Sequence, residues 1–135
     1  MEDKLNQKSK TKMQNDKEKF KESFIQRLIN FSLAVLRLNL KIKQKRECWV
    51  IMDQLIRSAT SIGANVVEAK GAASKKDYCH FFEIALKSAN ETRYWLILLS
   101  NFDIETEKES NLLLKEVGEI AKVLGASILT LKGKR

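Results

Sequence analysis

The chain predicts an all-α protein, an antiparallel up-down-up-down four-helix bundle, and three observations carry that expectation. Its 135 residues include no proline and only five glycines, too few turn formers for a sandwich or barrel that reverses every 8 to 12 residues or so. Apolar residues recur at steps of three and four along four long stretches, the spacing of helices with one buried face. The connections between these stretches are short, which makes neighbouring helices antiparallel. The length fits one domain that buries roughly two-thirds of its unfolded surface without disulfide or metal.

Residues 1–15 lack apolar periodicity and scatter Lys4, Lys8, Lys10 and Lys12 among polar residues, which predicts a disordered basic arm outside the core. Residues 16–135 then form the bundle. Asn15 and Glu18 have capping-box spacing, and Phe20, Phe24, Leu28, Phe31, Val35, Leu38 and Ile42 follow in register, predicting helix over 16–43. A second row, Ile25, Ile29, Leu33, Leu36 and Leu40, runs along the same helix. Its apolar face is therefore wider than packing within one small bundle needs, which calls for a partner subunit. Lys41, Lys43, Lys45 and Arg46 come next, cations that suit the negative end of the helix dipole.

The second helix is expected over 47–69, with Ile51, Leu55, Ile62 and Val66 on one row and Met52, Ile56, Ala59 and Gly63 beside it. Gly71 supplies a stop, and Ser74 with Asp77 has the form of a capping box opening a third helix over 75–101,. Tyr78, Phe82, Ala85, Ala89, Thr92, Leu96 and Leu99 alternate steps of four and three there, flanked by Trp95 and Phe102. Thr106 with Glu109 opens a fourth helix over 107–132, whose row is Leu113, Val117, Ile120, Leu124, Ile128 and Leu131. Gly118 and Gly125 inside it each cost about 1 kcal/mol against alanine, which predicts close backbone approach at both.

Charge is distributed unevenly. Residues 1–46 hold 13 Lys or Arg against 5 Asp or Glu, whereas residues 47–135 hold 12 of each. A basic arm or face of this kind attracts a polyanion, because lysine and arginine displace condensed counterions from phosphates. A solvated lysine-rich tail would give the same counts. Only six of the 25 cations are arginine, so any grip on nucleic acid should be on the backbone and not on base edges. Lys41, Lys43, Lys45, Arg46, Lys10 and Lys12 are the expected phosphate contacts.

Groups for catalysis are sparse. The one histidine, His80, directly follows Cys79, a spacing that does not place two ligands on one metal. No phosphate-cradling glycine loop, nucleophile elbow or Glu-x-x-His pair occurs,. The expectation is a non-enzyme without cofactor or metal. Charges interrupt the N-terminus where a secretory signal needs its apolar run, and no uncharged apolar stretch approaches 18 residues, so a cytoplasmic location with reduced thiols and no membrane contact is expected.

The segment RSATSIGANVVEA, residues 57–69, mixes Arg57, Ser61, Asn65 and Glu68 into a helix that should be core. In an antiparallel hairpin centred near residue 72, Arg57 falls opposite the region of Ser88 and Glu91, predicting an Arg57–Glu91 ion pair whose use is to fix register. Arg57, Asn65 and Glu91 are read as a structural polar network.

Residues 57–99, RSATSIGANVVEAKGAASKKDYCHFFEIALKSANETRYWLILL, resemble the four-helix-bundle proteins of the 23S ribosomal RNA intervening-sequence family. Arg57, Ser61, Ile62, Asn65 and Glu68 in the second helix, and Glu91, Thr92, Tyr94 and Trp95 in the third, stand where that pattern wants them. The resemblance implies a protomer that assembles as a ring-like homopentamer, encoded in some bacteria within rRNA-gene insertions. It also implies kinship with the accessory protein of diversity-generating retroelements, a basic pentamer that binds nucleic acid and a reverse transcriptase. Two functions fit these readings: an oligomer that binds RNA or DNA through phosphate contacts, or a protein-interaction scaffold whose charge serves solubility.

Overall fold

The computed structural model describes residues 2–134, and side chains from Lys4 to Lys134. Met1 and Arg135, the outer ends of the expected arm and bundle, lie outside the described residues. The described residues form four α-helices: α1 (Glu2–Ile42), α2 (Trp49–Ala69), α3 (Lys75–Phe102) and α4 (Glu107–Leu131). Single 3-10 turns, Arg46–Cys48 and Ile104–Thr106, lead into α2 and α4. No strand occurs among the described residues.

Side-chain pairs establish the antiparallel order. Between α2 and α3, Arg57 meets Glu91 and, one turn on, Ser61 meets Ser88. Between α1 and α4, Arg27 clasps Glu116 with two bonds of 2.8 and 2.7 Å, and Lys41 lies 3.6 Å from Glu109. The core is the set of rows that periodicity selects: Leu28, Val35 and Ile42 on α1, Leu55 and Ile62 on α2, Leu96 and Leu99 on α3, Ile120 and Leu124 on α4, all essentially without exposure. At the α1–α2 contact, Gly63 sits so near that an added Cβ would stand 3.4 Å from the Leu28 Cβ.

Residues 2–15 are not a disordered arm. They extend α1 by several turns, and 41 residues at 1.5 Å each make a rod of about 60 Å, against about 30 Å for α2,. Lys, Gln and Met are good helix formers, no Gly or Pro intervenes, and propagating an existing helix costs far less than starting one. Asn15 is consequently interior and caps nothing. The expected absence from the core does hold, since every side chain from Lys4 to Ser23 is exposed. That includes Phe20, which begins the periodic row but lies beyond the end of the bundle.

Two local expectations fail, those for the Thr106 cap and for close approach at Gly118 and Gly125. Thr106 directs its hydroxyl to the Asp103 carboxylate and not to the helix it precedes. The second helix does stop at Ala69, just before Gly71, which keeps a negative φ while the Lys70, Gly71 and Ala72 amides bond to the carbonyls three residues back. The left-handed glycine is Gly133, at φ 69°, which closes α4 with amide bonds from Gly133 to Thr130 and from Lys134 to Leu129,. Gly118 and Gly125 have open space where a Cβ would stand, so no close approach explains them. Ser74 does cap α3, accepting from the Asp77 amide at 3.1 Å.

Candidate nucleic-acid interface

The cations chosen from sequence fall into two groups that one protomer does not bring together. Lys10 and Lys12 ride on the projecting half of α1, while Lys41, Lys43, Lys45 and Arg46 form the corner between α1 and α2. At about 1.5 Å per residue, Lys12 and Lys41 are separated by roughly 45 Å of helix. Within the first group, two residues turn an α-helix by about 200°, so Lys10 and Lys12 face opposite sides. Lys12 shares its side with Lys4, Lys8 and Lys19. Lys10 shares its side with Lys17 and Lys21. The residues sequence reasoning missed here, Lys17, Lys19 and Lys21, carry a clear signal once the arm is read as helix, because they repeat at helical intervals.

At the corner, one of the four cations is already engaged. Lys45 Nζ lies 2.6 Å from Asp103 Oδ1 and 2.8 Å from Glu105 Oε2, joining the α1–α2 corner to the α3–α4 corner. Hydrogen bonds donated to Asp103 and then Glu105 raise its pKa well above the ordinary lysine value. Burial alone would push the Asp103 carboxyl up, but the bonds from Lys45 and Thr106 outweigh it and hold the pKa below 3.8. Lys45 is therefore held by two carboxylates within the chain, unlike Lys43 and Arg46 beside it. Lys41 is 62% exposed and only loosely paired with Glu109. Lys43 and Arg46 are exposed and make no ion pair among the described residues.

Trp49, which the sequence reading passed over, organises this corner. Its indole Nε1 donates to the Lys43 carbonyl at 2.8 Å, and the Arg46 guanidinium lies 5.9 Å from its ring centroid. An exposed indole beside two free cations can accept a stacked base while the cations meet phosphate.

The polar positions of α2 and α3 form separate contacts, not one network. Arg57 binds Gln54 and Glu91, and Glu91 also accepts from the Trp95 indole at 3.0 Å. Asn65 instead donates to the Ser61 carbonyl at 2.8 Å, and Ser61 lies 3.0 Å from Ser88. Between them, fully buried Thr92 and Ser58 hydroxyls stand 2.9 Å apart.

Little here serves reaction chemistry. Cys48 and Cys79 are free and buried, and burial, followed by nearby carboxylates, pushes both thiols up and away from the reactive thiolate,. Among the described residues no three or more His, Cys, Asp or Glu side chains gather as a metal site would. His80 is exposed. No helix among the described residues is long and apolar enough to cross a membrane.

Fold and surface together define an all-helical, four-helix protein with cations at both ends of its longest helix. The profile of the 23S rRNA-intervening sequence protein matches residues 21–126, and the chain belongs to that family. A solved structure of a protein of unknown function from the S23 ribosomal protein family of Bacteroides thetaiotaomicron is similar, with 34% identity and a TM-score of 0.72 over 78% of this chain and 97% of that one. No curated protein matches the chain. The profile leaves the first half of α1 uncovered, since it begins at residue 21.

Proposed function

We infer that this protein is a non-catalytic homo-oligomer, a pentamer by family kinship, that binds nucleic acid through its phosphate backbone. The observation carrying this reading is on α1. Ile29, Leu33, Leu36 and Leu40 form one row there that remains 39 to 63% exposed, an apolar stripe that a second copy would cover. The same helix projects lysines beyond the bundle, and pooling five copies at +8 each gives a formal charge of +40, a multivalent polycation. Lys10, Lys12, Lys41, Lys43 and Arg46 are its phosphate contacts, joined by Lys17 and Lys19.

The test is a mass by light scattering followed by RNA binding at several salt concentrations. The expected result is an oligomer whose affinity falls steeply with salt and changes little with sequence. A monomer at micromolar concentration, or salt-independent binding, overturns it. The alternative, a protein-interaction scaffold, draws support from the end of the bundle where Trp49, Val50, Phe102 and Ile104 are exposed together. It predicts that removing lysines leaves partner capture unchanged. A reverse transcriptase is the kind of partner that the retroelement kinship suggests.

A further inference from the structure

We propose that the end of the bundle beneath the projecting half of α1 is a binding site for a free, single-chain anionic amphiphile, chemically a medium-chain alkyl carboxylate. A cavity of about 680 Å³ opens there between α1, the end of α2, the start of α3 and the end of α4, within the size range of small-molecule sites. It exists because α1 runs on past the point where α2 stops at Ala69 and α3 begins at Lys75. Nothing in the described chain packs against that stretch of α1 from outside.

The lining sorts by chemistry. Two stacked aromatic pairs face the space: Phe20 with Phe24 from α1, ring centroids 6.4 Å apart, and Tyr78 with Phe82 from α3, 5.0 Å apart. Aliphatic side chains of α2 and α4 complete an apolar floor. Cations occupy the rim. Lys17 and Lys21 come from successive turns of α1 and Lys70 from the end of α2, against one carboxylate, Asp16. Lys21 is already held over the opening, its Nζ 5.2 Å from the Tyr78 ring centroid. An apolar floor with a cationic rim matches a ligand with a hydrocarbon body and one negative head. A neutral hydrocarbon would leave the three ammonium groups unused, and an inorganic anion would leave the aromatic walls bare. Because α1 and α3 each supply an aromatic pair, such a ligand would tie the projecting helix to the bundle. The site shares Lys17 with the proposed phosphate contacts but does not depend on them, and its test contains no nucleic acid.

The full-length protein is titrated calorimetrically with dodecanoate below its micellar concentration, with dodecan-1-ol, and with acetate. The expected result is one dodecanoate per chain, dodecanol weaker by about tenfold or more, and no acetate binding. Lys17→Glu combined with Lys21→Glu, both on the surface, should weaken dodecanoate by at least tenfold and leave dodecanol unchanged. Ala126→Phe, which fills the floor, should block both, with circular dichroism confirming an intact fold. Lys108→Glu, exposed at the start of α4 and away from the cavity, should leave both affinities unchanged. Equal affinity for acid and alcohol, indifference to the lysine reversals, full affinity in a folded Ala126→Phe protein, or loss in Lys108→Glu each overturns the proposal. So does co-sedimentation with phosphatidylglycerol vesicles when free dodecanoate does not bind, which would make the ligand a membrane surface.

Discussion

Asp103 shows how one side chain can join distant parts of a small bundle. It is buried, yet hydrogen bonds from Lys45 and Thr106 hold its pKa below 3.8. A carboxyl depressed in the folded state contributes stability that is complete above its unfolded pKa and is lost as pH falls through the lowered value. Lys45 is raised above its ordinary 10.5, so its contribution is complete below that value and fades as pH rises past it. The pair therefore works in full between about pH 4 and 10. Asp103→Asn should lower the melting temperature by roughly 3 to 6 °C at pH 7 and much less at pH 2, read by calorimetry at both pH values. Gly118 and Gly125 point the other way. With open space at each Cβ position, alanine at either should stabilise by about 0.5 to 1 kcal/mol, measured by urea unfolding. Arg57 and Glu91 are 57% and 38% exposed. A double-mutant cycle on Arg57→Met and Glu91→Leu should find coupling under about 1 kcal/mol, the range of surface pairs, and not the several kcal/mol of a buried one.

Among the helices, α1 is divided in function along its length. From Phe24 to Ile42 it supplies a buried row, whereas from Lys4 to Ser23 no side chain is buried. A stretch of helix that buries no side chain draws its stability chiefly from propensity and from pairs such as Gln14 with Glu18, 3.3 Å apart,. Deleting residues 2–15 should therefore leave the melting temperature within about 2 °C, since no core contact is lost, while reducing the helical ellipticity per molecule. The same deletion should lower the salt slope of RNA binding by about one for each phosphate contact removed. An unchanged slope would confine the phosphate contacts to the corner at Lys41, Lys43 and Arg46.

For the assembled molecule, the decisive surface is the row from Ile29 to Leu40. Two anionic substitutions in it, Leu33→Glu with Leu36→Glu, touch side chains that the single protomer leaves exposed. They should reduce the light-scattering mass to that of one chain without unfolding it. Loss of the multivalent array should then weaken RNA binding by about tenfold or more, although no cation has been removed. A folded monomer with undiminished RNA affinity would separate the two halves of the functional reading.

The four helices, their principal buried rows and the excess of cations in the first third follow from amino-acid order, because periodicity, propensity and composition are local. The pairing of Arg57 with Glu91 was also within reach, since a short connection constrains which positions oppose one another. The continuation of α1 through residues 2–15 was harder to read: apolar periodicity detects burial, and a helix that buries nothing leaves no such trace. The pairing of Lys45 was not legible before its neighbours were known, because Asp103 and Glu105 lie nearly sixty residues away in sequence. The cavity walled by Phe20, Phe24, Tyr78 and Phe82 likewise emerges from packing. It depends on where three helices end while the fourth continues, and relative helix length in space is a property of how the elements dock.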